Sequence, residues 1–265
     1  MPLNFLHYYL PDPIIFSWRF ITIRWYGVLI ALALLLAIYL ALLLARQFNL
    51  FSDDVFDLAF WLALSGIIGA RAYEVFILNW SYYQDNYLAI VKIWQGGLAI
   101  HGAILGGVVA LLAWSKLKNK NFWQLADLIA PLLALGQAIG RWGNYFNQEL
   151  FGRPTNLPWG LPITQVHRPD AYFNYQYFHP VFLYESLLDL LLFVVLFFLL
   201  KKNQLKTGEI FLLYLIGYAI ILFATELIRL DQTIILAGAR LPQIVSVAIA
   251  ILAGSILLFR RNHHS

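Results

Sequence analysis

The chain has 265 residues, of which 61% are hydrophobic and 12% are charged. Soluble domains carry about 25% charged residues, so this composition excludes an ordinary soluble domain and predicts an integral membrane protein. The sequence contains no cysteine, which excludes disulfides, thiolate metal sites and a cysteine nucleophile. The formal net charge is +4, but the basic residues lie between apolar segments, as topology signals do, so nucleic acid is not an expected partner.

Taken in chain order, the apolar runs predict an all-α integral membrane protein with about seven transmembrane helices in a single polytopic membrane domain, residues 1–265. Residues 1–19 hold several prolines and aromatic side chains and are predicted to form an N-terminal interfacial arm. Each apolar run is near the ~20 residues that a bilayer requires. The predicted spans are Phe20–Ala45, Val55–Leu78, Leu98–Ser115, Phe122–Gly140, Val181–Leu200, Glu209–Arg229 and Leu241–Phe259.

The polar segment 141–179 is too rich in proline to span and is predicted to be a small extracytoplasmic head between the fourth and fifth spans. Most of the lysines lie in two loops, 116–120 and 201–206, which fall on one side of a seven-span arrangement together with the basic C-terminal tail. The positive-inside rule makes that side cytoplasmic. The N-terminus is therefore expected outside and the C-terminus in the cytoplasm.

With that orientation, six spans bring polar or ionisable side chains to one level, in the outer third of the bilayer. Charged groups are costly in hydrocarbon, so they are expected to face one another, a ligand or a wet cavity. This convergence predicts a site that opens toward the outer leaflet. The side chains are Tyr26, Arg71, Glu74, His101, Arg141, Glu185, Glu226 and Arg229.

Purely structural roles stay open for these side chains. Arg71 with Glu74, and Glu226 with Arg229, have the i,i+3 spacing at which opposite charges neutralise each other. Glu185 and Asp189 are like charges at i,i+4, so one would be protonated or would face an arginine or a tyrosine. Tyr26 has an alternative role in an aromatic belt, and His101 could be an interfacial histidine bonded to a main-chain carbonyl.

The histidines lack the spacing of a zinc site, and the sequence contains neither a phosphate-binding GxxxxGK[ST] loop nor a GxSxG elbow. No metal site is therefore predicted.

The most distinctive stretch is 136–153, GQAIGRWGNYFNQELFGR, which follows an apolar run. Its glycines and polar side chains predict a flexible turn that is rich in hydrogen-bond donors. Glycine lets main-chain N–H groups approach a ligand, and the arginine fork matches phosphate oxygens. The alternative is an ordinary helix C-terminus with interfacial arginine and tryptophan anchors.

This stretch and several other motifs, in the same order, resemble the bacterial prolipoprotein diacylglyceryl transferase family over most of the chain. The departures are Ala103 in a usual His-Gly-Gly motif and Leu230 in a usual Pro-Asp motif. The motifs are Arg24–Gly27, Gly69–Arg71, Gly96-Gly97 through His101-Gly102, Asp127 through Pro131, Gly140–Asn144, Asn147 through Arg153, His179-Pro180, Tyr184-Glu185 and Glu226 through Arg229.

The resemblance implies an enzyme of the bacterial cytoplasmic membrane that needs no cofactor. Its implied partners are phosphatidylglycerol, the signal peptide of a prolipoprotein with its lipobox cysteine, and membrane lipids. The implied reaction moves the sn-1,2-diacylglyceryl group of phosphatidylglycerol to the cysteine thiol. A thioether and glycerol 1-phosphate would be the products.

By resemblance, the catalytic residues are His101, Arg141 and Arg229. The two arginines would clamp the donor phosphate, and histidine, which changes charge near neutral pH, would serve as the base for the thiol. A proton-relay or lipid-positioning role for His101 is equally open. The implied substrate-binding and supporting residues are Tyr26, Arg71, Gly102, Gly140, Gly143, Asn144, Glu149, Gly152, Glu185 and Glu226.

Two other functions would use the same residue types. A transporter of lipids or small anions also places arginine and glutamate inside the membrane, but it more often shows inverted repeats and polar groups near the midplane. A lipid-binding or assembly protein of the outer leaflet would have the same groups and no chemistry.

Overall fold

The computed structural model describes residues 4–19, 21–231 and 233–262. Phe20, where the first predicted span begins, lies outside these ranges. Within them the helices are α1 (Asn4–Tyr8), α2 (Trp25–Leu44), α3 (Ser52–Tyr73), α4 (Trp80–Tyr83), α5 (Ile100–Leu117), α6 (Phe122–Asn147), α7 (Val181–Lys202), α8 (Glu209–Glu226) and α9 (Leu241–Asn262).

Among the described residues, short strands form three antiparallel pairs. Strand β1 (Ile14–Trp18) pairs with β2 (Ile21–Arg24), β3 (Leu161–Pro162) with β4 (Tyr177–Phe178), and β5 (Ile235–Leu236) with β6 (Ala239–Arg240). The last hairpin turns at Ala237 and Gly238, which both have positive φ, as a tight two-residue hairpin turn requires.

Seven helices among the described residues are long and apolar enough to cross a membrane, which confirms the predicted all-α, seven-span class. The first of them begins at Trp25 because residues 21–24 pair as a strand. The predicted start at Phe20 was therefore too early. The hydropathy of Ile21 and Ile23 suits either a strand or a helix, so composition could not separate the two.

The glycine-rich stretch differs from its prediction. Residues 136–147 are helical throughout and form the last three turns of α6, so the predicted flexible turn is wrong. The chain leaves the helix only at Gln148, which has a positive φ of 53°. The segment between α6 and α7 is therefore 148–180. It begins seven residues later than the predicted head, 141–179.

The chain divides into two compact units, which are described separately. The first contains residues 1–37 and 129–265. In it α8 packs against α7 and α9. A buried cluster joins the 148–180 segment to the ends of α6 and α7 and contains Leu6, Tyr145, Phe151, Leu161, Ile163, Phe178, Phe182 and Leu183. The side chain of Gln148 fixes this segment by accepting from the N–H of Thr164 (2.8 Å) and donating to the carbonyl of Pro11 (3.1 Å).

The second unit contains residues 38–128, and α3 and α5 pack closely within it. Glycine makes this approach possible because a Cβ at Gly69 would overlap the carbonyl oxygen of Gly102, and a Cβ at Gly102 would overlap that of Gly69. Close helix contact through glycine is a common means of association in lipid, where burial of apolar surface drives little. The prediction of one membrane domain over residues 1–265 stays a prediction.

Candidate active site

A buried ionic network crosses helices α6, α7 and α8 in the first unit, and Arg141 contacts two of its carboxylates. The Nε of Arg141 is 2.6 Å from Glu185 Oε2 and 4.0 Å from Asp189 Oδ2. An Nη2 of the same guanidinium donates to the hydroxyl of Tyr218 (3.4 Å). Glu185 and Asp189 are 1% and 0% exposed, so this arginine compensates two carboxylates that water does not reach.

Arg229 lies on the other side of Glu185. Its Nη1 is 3.6 Å from Glu185 Oε1, while Arg141 contacts Oε2 of the same carboxylate. Two arginines that are far apart in sequence therefore approach one carboxylate from its two oxygens. Thr225 completes the site by donating to Glu185 Oε1 at 2.8 Å.

Three carboxylates hold Arg229. Asp231 accepts from Nε at 2.8 Å and from Nη2 at 2.9 Å, in a two-pronged pair, and Glu226 Oε2 is 3.5 Å from Nε. Burial lowers the pKa of Arg229, but Asp231, Glu185 and Glu226 raise that pKa by more, so the net shift is upward. Arg229 therefore stays positively charged at physiological pH.

Arg240, which sequence reasoning missed, completes the network. Its Nε is 2.6 Å from Glu226 Oε1, and its Nη2 donates to the main-chain oxygen of Asp231 at 2.8 Å. It ends the β5–β6 hairpin, so the turn brings it back to Glu226 and Asp231. The sequence separation between Glu226 and Arg240 matches no helical repeat. The one sequence signal for their contact was Gly238, which favours a turn before Arg240.

The main chain on both sides of Arg229 is fixed by Gly152. Residues 151–153 pair with 228–230: Leu230 N–H donates to Phe151 O (3.2 Å), and Arg153 N–H donates to Ile228 O (2.9 Å). A Cβ at Gly152 would lie 2.9 Å from the Cβ of His179 and 3.0 Å from the carbonyl oxygen of Ile228. Gly152 thus permits the close pairing that holds the backbone of Arg229.

His179 closes the same junction. Its carbonyl accepts from the N–H of Gly152 at 2.9 Å, and burial lowers the pKa of its imidazole. The ring is therefore held neutral more firmly than a surface histidine.

Tyr26 and the glycines of α6 meet at another contact within the first unit. A Cβ at Gly143 would overlap the Tyr26 ring, so the missing side chain makes room for that ring. At Gly140 a Cβ would make only an ordinary contact, at 3.8 Å from Ile30 Cδ1. One turn after Gly140, Asn144 donates to Glu149 Oε1 at 2.8 Å and so holds this exposed carboxylate beside the end of α6.

Arg71 lies in the second unit, buried in the last turn of α3. Its guanidinium donates to the main-chain carbonyls of Ala89, Ile90, Gly96 and Gly97, the last two at 2.7 Å, and stacks over the Tyr83 ring. Glu74 instead accepts from Asn79 at 2.8 Å. The contacts of Arg71 therefore fix the loop that precedes α5.

His101 lies in the first turn of α5, directly after that loop, and its side chain is exposed. The ring is 5.7 Å from the Tyr73 ring of α3. The next residue, Gly102, is the buried contact with Gly69 that sets the distance between α3 and α5. The second unit thus carries His101 on a tightly packed helix pair beside a loop tied down by Arg71.

Among the residues described, no group of three or more His, Asp or Glu side chains could hold a metal ion. The carboxylates of the network instead face guanidinium groups.

Comparison with known proteins agrees with these motifs. The sequence model of the family described as prolipoprotein diacylglyceryl transferase matches residues 13–260. The chain belongs to this family. A relative from Nostoc sp., a phosphatidylglycerol–prolipoprotein diacylglyceryl transferase, is 48% identical over 269 residues, which cover 99% of this chain and 94% of the relative.

More distant relatives carry the same description. The protein from Thermosynechococcus vestitus is 46% identical over 242 residues, 91% of this chain and 89% of its own length. That from Staphylococcus aureus is 40% identical over 255 residues, 94% of this chain and 89% of its own length. Because these members of the diacylglyceryl transferase family are described as transferases, a transporter is not the favoured alternative.

Proposed function

We propose that this protein transfers the sn-1,2-diacylglyceryl group of phosphatidylglycerol to the lipobox cysteine thiol of a prolipoprotein. The observation that carries the proposal is the family match over residues 13–260. The pair of buried arginines that share Glu185 supports it, because an anionic lipid and an anionic leaving group both need fixed positive charge.

The chemistry is a displacement at carbon. The cysteine sulfur, as thiolate, attacks the glycerol carbon of the diacylglyceryl group that bears the phosphate, and the C–O bond to phosphate breaks. The bonding electrons leave with oxygen as glycerol 1-phosphate, and the new C–S bond is a thioether. The thiol proton passes to a base, for which His101 is the candidate.

The two arginines hold the donor phosphate and stabilise the charge that develops on it. Arg229 Nη1 is 3.6 Å from Glu185, beyond the ~2.7–2.9 Å of a charge-assisted hydrogen bond, so a phosphate oxygen can replace this weak contact. Arg141 reaches the same carboxylate from its other oxygen. The phosphate is then bound by exchange with a carboxylate, which keeps both arginines neutralised when no lipid is bound.

The remaining residues support this step. Tyr26, Gly143, Asn144 and Glu149 line the end of α6, while Gly140 leaves space beside them. Gly152, Glu185 and Glu226 hold the arginines, and Arg71 and Gly102 fix the position of His101. Each of these roles in substrate binding is part of the proposal.

The protein is a multi-pass membrane protein, and the proposal sets its orientation in the bacterial cytoplasmic membrane. The lysine-rich loops 116–120 and 201–206 face the cytoplasm, as does the C-terminus. The N-terminus and the 148–180 segment are then extracytoplasmic. Phosphatidylglycerol and a signal peptide would reach the site from the outer leaflet.

Incubation of the purified protein with phosphatidylglycerol and a lipobox peptide tests the proposal. The expected result is a mass gain on the peptide thiol by one diacylglyceryl group, with release of an equal amount of glycerol phosphate. A peptide with serine in place of cysteine and a lipid with a neutral headgroup are the controls. Binding of phosphatidylglycerol without a mass gain would favour a lipid-binding protein and contradict the transferase.

A further inference from the structure

Arg240 contacts two of the acidic residues that hold Arg229. Glu226 lies between the two arginines, with Oε1 at 2.6 Å from Arg240 Nε and Oε2 at 3.5 Å from Arg229 Nε. Asp231 binds Arg229 through both carboxylate oxygens and Arg240 through its main-chain oxygen, with Oδ2 also 3.9 Å from Arg240 Nη2. Arg240 therefore acts on Arg229 through shared partners.

The distances show which cation neutralises Glu226. At 2.6 Å the pair with Arg240 is a short charge-assisted contact, whereas 3.5 Å to Arg229 is not. Glu226 is 2% exposed, and a buried carboxylate that loses its partner seeks another cation. Without Arg240, the cation still in contact with Glu226 would be Arg229.

The balance of charge points the same way. Four carboxylates, Glu185, Asp189, Glu226 and Asp231, share three guanidinium groups in this network. Loss of Arg240 would leave two cations for four acidic groups. The electrostatic potential at the site would then be more negative, which opposes the binding of an anion. Glu226 and Asp231 would also pair more strongly with Arg229, which leaves this arginine less available to a phosphate.

We propose that Arg240 is a positioning residue for the donor lipid. It neutralises Glu226 and orients Asp231, which leaves Arg229 able to exchange its weak contact with Glu185 for a phosphate oxygen. This inference rests on the proposed phosphate-binding role of Arg229.

A purely structural role for Arg240 makes a different prediction, and the chain contains a matched control. Glu209 is the first residue of α8 and pairs with Arg261 in the last turn of α9, with Nε to Oε1 at 2.8 Å. Glu226 is the last residue of α8, and Arg240 directly precedes α9. Each pair joins α8 to α9 at one end, and both glutamates are 2% exposed.

The test compares Arg240→Gln, Arg240→Lys and the control Arg261→Gln in the full-length protein in lipid nanodiscs. The fraction of phosphatidylglycerol is varied to obtain KM for the donor and kcat, and thermal unfolding gives Tm. The Tm of both glutamine variants should be lower than that of the wild type. Arg240→Gln should raise the donor KM by about tenfold with a smaller effect on kcat, whereas Arg261→Gln should leave both near wild type. Arg240→Lys, which keeps the charge, should recover part of the loss.

The double variant Glu226→Gln with Arg240→Gln separates an effect on the position of Arg229 from a purely structural effect of the lost α8–α9 contact. It removes the carboxylate that would otherwise capture Arg229, so its donor KM should fall below that of Arg240→Gln although the α8–α9 contact is still missing. An unchanged or higher KM in the double variant, or an equal KM increase in Arg261→Gln, would overturn the proposal. If Arg240→Gln fails to fold, a wild-type donor KM in Arg240→Lys would overturn the proposal, because lysine lacks the fork that contacts both Glu226 and the main-chain oxygen of Asp231.

Arg229→Lys distinguishes this inference from the proposed function. Impaired transfer in Arg229→Lys with wild-type behaviour in Arg240→Gln contradicts the inference alone. Wild-type transfer in Arg229→Lys contradicts the phosphate clamp, and the inference with it.

Discussion

At the scale of the residue, Arg141 has two tasks that a simple deletion would confuse. It compensates the buried carboxylates Glu185 and Asp189, and in the proposed function it also binds the donor phosphate. Removing one partner of a buried ion pair typically costs about 3–5 kcal/mol, because the other charge is left in an apolar site. Arg141→Ala should therefore lose stability as well as transfer.

Arg141→Lys isolates the second task. Lysine retains the positive charge beside Glu185 but lacks the planar fork that binds two oxygens at once, so the variant should stay folded and still transfer slowly. We expect Arg141→Ala to reduce kcat/KM by on the order of 10²–10³ or more and Arg141→Lys to fall between it and wild type. Mass spectrometry of the peptide product measures the rates. Arg261→Lys is the control for an Arg–Glu pair outside the site, and wild-type kcat/KM in Arg141→Lys would contradict a two-pronged phosphate contact.

Which residues the sequence could identify depends on the geometry that brings them together. Glu185 and Asp189 share a helix face by their spacing, and the sequence left open whether one is protonated or faces an arginine or a tyrosine. In the structure Arg141 Nε lies 2.6 Å from Glu185 and 4.0 Å from Asp189. The partner of Arg71 was not foreseeable, because main-chain carbonyls of a loop leave no signal in side-chain spacing. Arg240 was missed because a hairpin turn, and not a helical repeat, brings it to Glu226.

At the scale of the element, the end of α6 shows how packing overrides propensity. A glycine costs about 1 kcal/mol relative to alanine inside a helix, so the glycines of 136–143 predicted a turn. The helix continues through them, and at Gly143 the absence of a side chain leaves room for the Tyr26 ring of α2. Local propensity was misleading here, because the benefit of Gly143 lies in a contact with another helix.

Gly143→Ala tests this contact against Gly136→Ala in the same helix. A Cβ at Gly136 would meet nothing within 4 Å, so that variant should be neutral or gain about 0.5–1 kcal/mol from better helix propensity. At Gly143 the new methyl group must displace the Tyr26 ring, so Tm and transfer should both fall. Thermal unfolding and the peptide assay measure the two effects. Equal behaviour of the two variants would show that the Tyr26 ring moves aside without consequence.

At the scale of the whole molecule, the seven spans were predictable because a bilayer sets a length that apolar runs must match. The start of the first span was not, because Ile21–Arg24 forms a strand whose apolar residues have the same hydropathy as a helix. Hydropathy likewise says nothing about how the eight polar side chains that share one level are paired. Their common level in the sequence predicted a site, while the pairing around Glu185 required the folded chain.

The orientation in the membrane can be tested on α7 alone. This helix has 22 residues, which at ~1.5 Å each gives about 33 Å, enough to cross a hydrocarbon core of about 30 Å. Val166 precedes α7 on the 148–180 segment and is 87% exposed, and Lys202 ends the helix and is also exposed. If α7 spans the bilayer, these two positions must lie on opposite sides.

Single cysteines at the two positions give a direct readout, because the chain has no cysteine of its own and the parent protein is an unlabelled control. In intact spheroplasts a membrane-impermeant maleimide should label Val166→Cys at once, since the 148–180 segment is expected outside. It should label Lys202→Cys only after the membrane is permeabilised, because the basic loop 201–206 is retained on the cytoplasmic side. Labelling of Lys202→Cys before permeabilisation would reverse the orientation, and the outer-leaflet entry of phosphatidylglycerol would then have to be abandoned.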